Sequence, residues 1–381
     1  MTTAATTRTG PTTVSARAPG PDLARGFLLL FIALANTHSF LESPGATVRL
    51  MPVVTSFIDK LVATLTTVLV DGRSYTMFAA LFGYGLVQIT RREDLNGKDW
   101  RETRKLLRRR GRWLVVFGVL HAILLFSGDI LAAYGLLAVT LAGAVRSTDR
   151  RLLIWAGVWA LLGATLYGLV SIPMAIEKGP EGLIDGMIER SWMVLITAPL
   201  FAVTAAAAFL LGIWAARRRL LEEPPARLGK FIALGIGISV VGGAPLAWYI
   251  AGFGDKSDSL AVFGAGSLHA LTGLAGGPAY ALLVAVLAQR LVKPYGPVVT
   301  ALQATGQRSM TCYLAQSVVW YVVFSPYLLD LGSSLRIWQT ALLAIVTWAA
   351  TVAMAEAMRR KGWRGPFEVL LRRLTYRGKA S

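Results

Sequence analysis

Polar side chains inside apolar stretches are the residues of this sequence that can do chemistry. The first such stretch contains Asp22 and Arg25, and it reaches Asn36 eleven residues after the arginine. Eleven residues bring a helix back to nearly the same face, about 16 Å further along its axis. Arg25 and Asn36 can therefore line one path. The alternatives are an arginine that reaches lipid phosphates and an asparagine that bonds to another helix.

Histidine serves as acid and base near neutral pH, and His121 lies in a later apolar stretch, about 13 Å along a helix from Arg112. Proton transfer is one interpretation of His121, and a neutral buried histidine bonded to a carbonyl is the other. Asp129 follows a glycine and is expected to cap the next helix. His38 faces away from Asn36 and is interpreted as a boundary histidine. His269, among glycines, is a further candidate.

Motif and charge patterns exclude several classes of protein. No HExxH, CxxC, Walker-type loop or nucleophile elbow occurs, so the spacing predicts neither a metal site nor a nucleotide site. Cys312 is the single cysteine, which rules out an intrachain disulfide. The net charge is +18, but the basic residues lie in short segments between apolar runs, as in cytoplasmic loops. We therefore predict no nucleic-acid partner.

Ten long apolar runs must position these residues. A bilayer is crossed by helices of roughly 20 apolar residues, because backbone groups find no water there. The runs cover residues 23–41, 74–90, 113–127, 129–146, 151–173, 192–216, 229–251, 261–290, 309–329 and 337–358. The sequence predicts an all-α, polytopic membrane bundle of about ten transmembrane helices. The third and fourth runs form a tight hairpin.

Loop charges predict the orientation. Segment 91–112 carries ten Lys and Arg residues, and every second loop after it is basic. Because Lys and Arg are retained on the cytoplasmic side, ten spans place both termini in the cytoplasm. This requires segment 53–70 not to cross; it is interpreted as an interfacial amphipathic helix, with an extra span as the alternative. We expect a disordered tail at 1–21, a transmembrane domain at 22–358 and a basic cytoplasmic tail at 359–381.

Four stretches carry a resemblance to a known family. They are Asp22-Leu-Ala-Arg-Gly through Asn36; Phe78-Ala-Ala-Leu-Phe-Gly-Tyr-Gly; Gly118-Val-Leu-His with Gly128-Asp-Ile-Leu-Ala-Ala-Tyr; and Gly306-Gln-Arg-Ser-Met-Thr-Cys-Tyr-Leu-Ala-Gln-Ser with Gly365-Pro-Phe-Glu and Leu374-Thr-Tyr. The chain resembles the YeiB-like bacterial membrane proteins that carry DUF418, whose C-terminal signature is expected from about residue 229 onward. The resemblance implies a bacterial cytoplasmic membrane.

That family is similar to the transmembrane acyltransferases, which include acyltransferase-3 proteins and heparan glucosaminide acetyltransferases. The resemblance implies acyl transfer from cytoplasmic acyl-CoA to a hydroxyl or amine acceptor, with no resident cofactor. Asn36 matches the asparagine of the glucosaminide branch, but the position of that branch's catalytic histidine is Thr47 here. His121 or His38 would have to substitute.

The resulting prediction assigns two sites. Arg25, with Asp22 beside it, binds acyl-CoA, and His121, Asn36 and Asp129 are catalytic. A small-molecule permease or exporter, in which the same groups line a path, is the competing interpretation. A non-catalytic membrane scaffold is the third.

Overall fold

The computed structural model describes residues 19–42, 45–54, 56–175, 182–225 and 227–376, and these residues form an α-helical bundle. The helices are α1 Pro19–Thr37, α2 Phe57–Leu69, α3 Ser74–Leu95, α4 Trp100–Leu124, α5 Leu131–Leu141, α6 Asp149–Leu169, α7 Leu183–Arg217, α8 Leu228–Ile250, α9 Ser259–Gln289, α10 Pro297–Gln307, α11 Ser309–Phe324, α12 Ile337–Arg360 and α13 Pro366–Thr375. Two-residue strands, β1 Ala46–Thr47 and β2 Met174–Ala175, pair antiparallel. The predicted all-α class is confirmed.

Each of the ten predicted apolar runs coincides with one helix, namely α1, α3 to α9, α11 or α12. Segment 53–70 forms α2, a helix of 13 residues. At 1.5 Å per residue α2 is about 20 Å long, which is shorter than the hydrocarbon core of a bilayer.

Six helical segments are long and apolar enough to cross a membrane. They are Gly20–Phe40, Asp149–Leu169, Leu183–Arg217, Leu228–Ile250, Ser259–Gln289 and Ile337–Arg360. Large apolar side chains also cover the outside of the bundle, among them Leu161 on α6, Ile196 on α7 and Val241 on α8. A soluble protein rarely exposes such continuous apolar surface. The bundle therefore has the features of a multi-pass membrane protein.

The basic segment 91–112 is helical where a loop was predicted. α3 continues to Leu95, and α4 begins at Trp100 after Asp99, whose side chain accepts a hydrogen bond from the Glu102 N–H at 2.7 Å. Arg, Lys and Glu are strong helix formers, so an N-cap is sufficient to start a helix in a charged sequence.

Parts of both predicted tails are also helical. α1 begins at Pro19, inside the predicted tail 1–21, and residues 1–18 lie outside the described residues. In the predicted tail 359–381, α13 packs against the bundle through buried Leu371. Glu368 on α13 accepts hydrogen bonds from the Met310 and Thr311 N–H groups, at 2.7 and 3.1 Å, and so caps α11. Residues 377–381 lie outside the described part of the chain.

The two ends of the bundle carry different groups. The Phe40 ring lies 4.8 Å from the Phe126 ring and 5.2 Å from the Phe324 ring, between centroids. The segments that follow α1 and α4 therefore meet the last residue of α11 at one end. His121 is on the last turn of α4, and we call this end the His121 end. The opposite end, where α1 begins, carries Arg25 and is called the Arg25 end.

Candidate active site

His121 and Asp129 form a buried pair at the His121 end. The His121 Nδ1 and the Asp129 Oδ1 are 2.8 Å apart, and both residues are less than 5% exposed. The other carboxylate oxygen of Asp129 accepts a hydrogen bond from the Ala132 N–H at 2.7 Å. The predicted capping of α5 by Asp129 is therefore present, and the same carboxylate orients the histidine.

This pairing leaves one imidazole nitrogen open. Because Asp129 accepts at Nδ1, the favoured tautomer carries its proton on Nδ1 and a lone pair on Nε2. Within the described part of the chain, the buried Nε2 has no hydrogen-bond partner. A carboxylate that orients an imidazole and leaves its other nitrogen free is the arrangement of a general base in acyl transfer.

Tyr313 on α11 is a third member of the site. Its hydroxyl donates to Asp129 Oδ1 at 3.4 Å, and its ring centroid lies 5.1 Å from that of His121. Tyr313 was not predicted to have a role, although it lies in a stretch that carried the family resemblance. The 184 residues between Tyr313 and Asp129 give no local signal that the two meet.

Small residues allow α4 and α5 to approach closely enough to form the pair. A Cβ atom at Gly118 would overlap the Ala132 nitrogen and the Asp129 Oδ2. Gly111 and Gly135 face each other one to two turns further along the same two helices. The crossing therefore depends on glycine at these positions, because even one added methyl group has no space.

Gly118→Ala is therefore expected to destabilise the protein by about 1–3 kcal/mol, the usual cost of overpacking. The measurement is the thermal unfolding midpoint of the purified protein in detergent. Gly157→Ala on α6 is the matched control, since nothing lies within 4 Å of a Cβ there. The control is expected to be unchanged or more stable, because alanine is the better helix former. Equal midpoints for the two variants would contradict the close crossing.

The predicted acyl-CoA residues lie at the Arg25 end. Arg25 Nη1 is 3.3 Å from Asp22 Oδ1, and Gln307 on α10 donates to the other oxygen of Asp22 at 3.2 Å. The Arg25 side chain remains 26% exposed, whereas Asp22 is buried. The structure thus brings Asp22 and Arg25 together and leaves the guanidinium accessible.

Asn36 lies at the His121 end, on the last turn of α1. Its backbone carbonyl accepts a hydrogen bond from the Ser39 hydroxyl at 2.5 Å. Among the described residues, the Asn36 amide has no hydrogen-bond partner, and it contacts neither His121 nor Arg25 by a hydrogen bond. The structure therefore brings His121 and Asp129 together, and Asp22 and Arg25 together, but it does not join either pair to Asn36.

A second buried polar centre, built around Arg73, was not predicted from the sequence. This arginine is fully buried and donates to the Ser239 hydroxyl at 2.7 Å, to the Ser239 carbonyl, and to the carbonyls of Asp71 and Thr67 at 2.7 and 3.2 Å. Its Nη1 also lies 3.1 Å from the imidazole nitrogens of His269. Arg73 thus joins the start of α3 to α8 and α9.

Glycines on α8 and α9 make the space for this arginine. A Cβ at Gly243 or Gly276 would meet the Arg73 side chain, and one at Gly277 would overlap the Thr76 hydroxyl. The glycine-rich part of α9 is thus the signal that a large polar side chain enters there. It was missed because Arg73 itself lies outside the apolar runs.

The carboxylate of Asp71 lies beside this centre. It accepts a hydrogen bond from the Tyr167 hydroxyl at 2.8 Å and is 3.9 Å from His269 Nε2. Burial alone would raise the pKa of Asp71, but Arg49, His269 and other neighbouring donors lower this pKa to about 2. Asp71 therefore keeps its negative charge at physiological pH. The described residues contain no group of three or more His, Cys, Asp or Glu side chains that could hold a metal ion.

Comparison with known proteins finds a family match in the C-terminal part of the chain. Residues 215–378 match the family described as "Protein of unknown function (DUF418)". The C-terminal part of the chain is therefore similar to this family. The match begins at residue 215, before the predicted start near 229, and it covers the end of α7 and all of α8 to α13. The DUF418 region therefore includes Tyr313 and His269, whereas His121 and Asp129 precede it.

A relative is similar to this chain over almost its whole length. The chain is 27% identical over 410 aligned positions to "Uncharacterized protein YxaH" of Bacillus subtilis (strain 168), with 96% of each protein covered. The similarity therefore extends beyond the DUF418 region to the helices that carry His121 and Arg25.

Proposed function

We propose that this protein is a membrane-bound, acyltransferase-like enzyme that moves an acyl group from cytoplasmic acyl-CoA to a hydroxyl or amine acceptor. The observation that carries the proposal is the buried His121–Asp129 pair with a free imidazole nitrogen. The structural alternative is a neutral histidine that bonds only to a carbonyl. That alternative does not require the buried carboxylate that His121 contacts.

His121 Nε2 accepts the proton of the acceptor O–H or N–H group while the acceptor oxygen or nitrogen bonds to the acyl carbonyl carbon. The C–S bond then breaks, and the CoA thiolate leaves with the proton that the imidazolium returns. Asp129 stabilises the imidazolium and holds its tautomer. In this scheme Asn36 donates to the carbonyl oxygen, which requires it to approach His121 when substrate is bound.

Arg25 would bind CoA phosphates through charge-assisted hydrogen bonds. Asp22 has the same sign of charge as a phosphate, so its role in the proposal is to hold the guanidinium of Arg25 in place. The proposed orientation has ten membrane spans, with the Arg25 end and both termini in the cytoplasm of a bacterial cell. This orientation is supported by the basic residues in the last turns of α3 and the first turns of α4. It is also supported by the basic residues that follow α7 and α12.

Acetyl-CoA is expected to stabilise the purified protein against heat. At 100 times its Kd, a ligand that binds only the folded state adds about 2.7 kcal/mol of stability. The measurement is the unfolding midpoint in detergent with acetyl-CoA, with CoA, or with sodium phosphate at matched ionic strength. Arg25→Gln should weaken acetyl-CoA binding by about 10- to 100-fold, because one charge-assisted bond contributes about 1.5–3 kcal/mol. Arg290→Gln, an exposed cation after α9, is the control and should bind as the wild type does.

No shift in the midpoint at acetyl-CoA concentrations up to ~1 mM, the upper range of ordinary KM values, would overturn the acyltransferase proposal. A permease or a scaffold would then be the better account of the same helices. A shift that Arg25→Gln and Arg290→Gln affect equally would leave CoA binding in place but would remove Arg25 from it.

A further inference from the structure

Arg49 occupies a pocket of aromatic and acidic groups at the His121 end. It lies in the short segment between β1 and α2, and its guanidinium carbon is 4.0 Å from the centroid of the Tyr167 ring. Tyr75 stacks near Tyr167, with 6.2 Å between ring centroids, and the Tyr167 hydroxyl donates to Asp71. Asp71 and both tyrosines interact electrostatically with Arg49. We call Tyr167, Tyr75 and Asp71 the cation pocket.

The composition of this pocket suits an organic cation. A tyrosine face attracts ammonium and guanidinium groups, and a nearby carboxylate adds an opposite charge. Arg49 is the group that lowers the pKa of Asp71 most, so this carboxylate is ionised when a cation lies beside it. The pocket therefore recognises positive charge, and Arg49 is the positive group that it holds in this conformation.

Arg49 is held under conditions that favour its release. Arg49 and Leu50 have φ angles of 56° and 58°, a left-handed conformation that side chains with a Cβ adopt at an energetic cost. The Arg49 Nε is buried and has no hydrogen-bond partner among the described residues. A strained segment with an incompletely bonded side chain is easier to displace than a relaxed one.

Packed tyrosines connect the cation pocket to the proposed catalytic pair. The Tyr134 hydroxyl on α5 donates to the Tyr75 carbonyl at 3.0 Å. Tyr134 also lies in the same buried cluster as Tyr313, whose hydroxyl donates to Asp129. The pocket and the His121–Asp129 pair thus lie on one polar route at the same end of the bundle.

We propose that the cation pocket binds a positively charged group of the acceptor, an ammonium or a guanidinium, and that Arg49 fills the pocket until the acceptor displaces it. The acceptor is the molecule that receives the acyl group, so this inference rests on the proposed function. A protonated amine has no lone pair with which to attack a thioester. The recognised cation is therefore separate from the nucleophile, so the acceptor carries a cationic group and also a hydroxyl or a neutral amine.

The test uses the full-length protein in detergent and n-propylguanidinium chloride as the probe, with sodium chloride plus n-propanol as the uncharged comparison. Arg49→Ala should bind the probe about tenfold more tightly than the wild type, since apparent affinity rises with the fraction of molecules whose pocket is open. Asp71→Asn in the Arg49→Ala background should lose that gain. Asp255→Asn in the same background is the matched control, because Asp255 is an exposed acid in the loop before α9.

A second measurement needs no variant. In the wild-type protein, saturating n-propylguanidinium should raise amide hydrogen exchange in residues 45–54, and the uncharged comparison should not. Equal probe affinities for the wild type and Arg49→Ala, or unchanged exchange in residues 45–54, would overturn the proposal. If Asp71→Asn does not fold, the exchange experiment decides alone.

The two proposals fail separately. Probe binding that displaces Arg49, without any transfer of radiolabelled acetyl groups from acetyl-CoA to an acceptor, would keep the cation pocket and reject the proposed function. Acetyl transfer without probe binding would keep the enzyme and reject the pocket.

Discussion

Replacing His121 by alanine is expected to lower the rate of acetyl transfer by about 10²- to 10⁴-fold, the usual contribution of a general base. The affinity for acetyl-CoA should stay the same, because Arg25 lies at the opposite end of the bundle. The measurement is transfer of radiolabelled acetyl groups to an acceptor pool, with acetyl-CoA binding followed separately. The effect should therefore appear in kcat and not in the thermal shift.

Chemical rescue distinguishes catalysis from packing. The deleted side chain leaves space beside Asp129, and free imidazole at high concentration should restore part of the rate. A structural loss would show no rescue, since imidazole cannot refold a displaced helix. Unchanged transfer by purified His121→Ala would remove this histidine from the chemistry altogether.

Asp129→Asn provides the companion variant, with Asp258→Asn as its matched control. Both aspartates accept a hydrogen bond near a helix start, Asp129 from the Ala132 N–H at 2.7 Å and Asp258 from the Ala261 N–H at 3.0 Å. Only Asp129 also bonds to a histidine. If the carboxylate acts through His121, Asp129→Asn slows transfer by up to about 10⁴-fold and Asp258→Asn does not change it. Similar losses in both would indicate a capping role only.

The helices were predictable from the sequence because the requirement for long apolar segments is strict. Each of the ten apolar runs coincides with a helix, and the tight turn between α4 and α5 falls where residues 127–129 indicated it. The helices that escaped prediction, α10 and α13, are short and carry polar residues. Each starts with a proline in its first turn, Pro297 and Pro366, a local signal that hydropathy does not weigh.

The candidate site was predictable only in part. Four residues were candidates because of their side-chain types, namely His121, Asp129, Arg25 and Asp22. The short turn after α4 brings His121 and Asp129 together. Asp129 was predicted both to cap a helix and to be catalytic. The sequence does not show that one carboxylate oxygen contacts the start of α5 while the other contacts His121. Whether Asn36 joins His121 when substrate binds stays a prediction.

Contacts between distant helices account for what was missed. Arg73 and Ser239 are separated by 166 residues, and Arg73 and His269 by 196. No helical periodicity connects positions so far apart. The glycines of α9 were noted as sites of close approach, but only the structure shows that an arginine is what approaches.

Arg73→Met is expected to destabilise the fold by about 3–5 kcal/mol, the loss usually seen when one partner of a buried charged network is removed. Methionine fills a similar volume without any donor. It would leave the Ser239 hydroxyl, the Asp71 and Thr67 carbonyls and the His269 ring without the hydrogen bonds that Arg73 provides. The measurement is the unfolding midpoint, together with the monodisperse fraction recovered from membranes.

Arg101→Met is the matched control, since it makes the same chemical change at an exposed position on α4. Arg73→Lys should fall between the two, because an ammonium keeps the charge but its three donors do not match the planar fork that reaches both α8 and α9. If Arg73→Met unfolds at the same temperature as Arg101→Met, the guanidinium does not hold these helices together. A buried charge that contributes nothing to stability would then have to be explained by a ligand, and Arg73 would join Asp71 as part of a binding site.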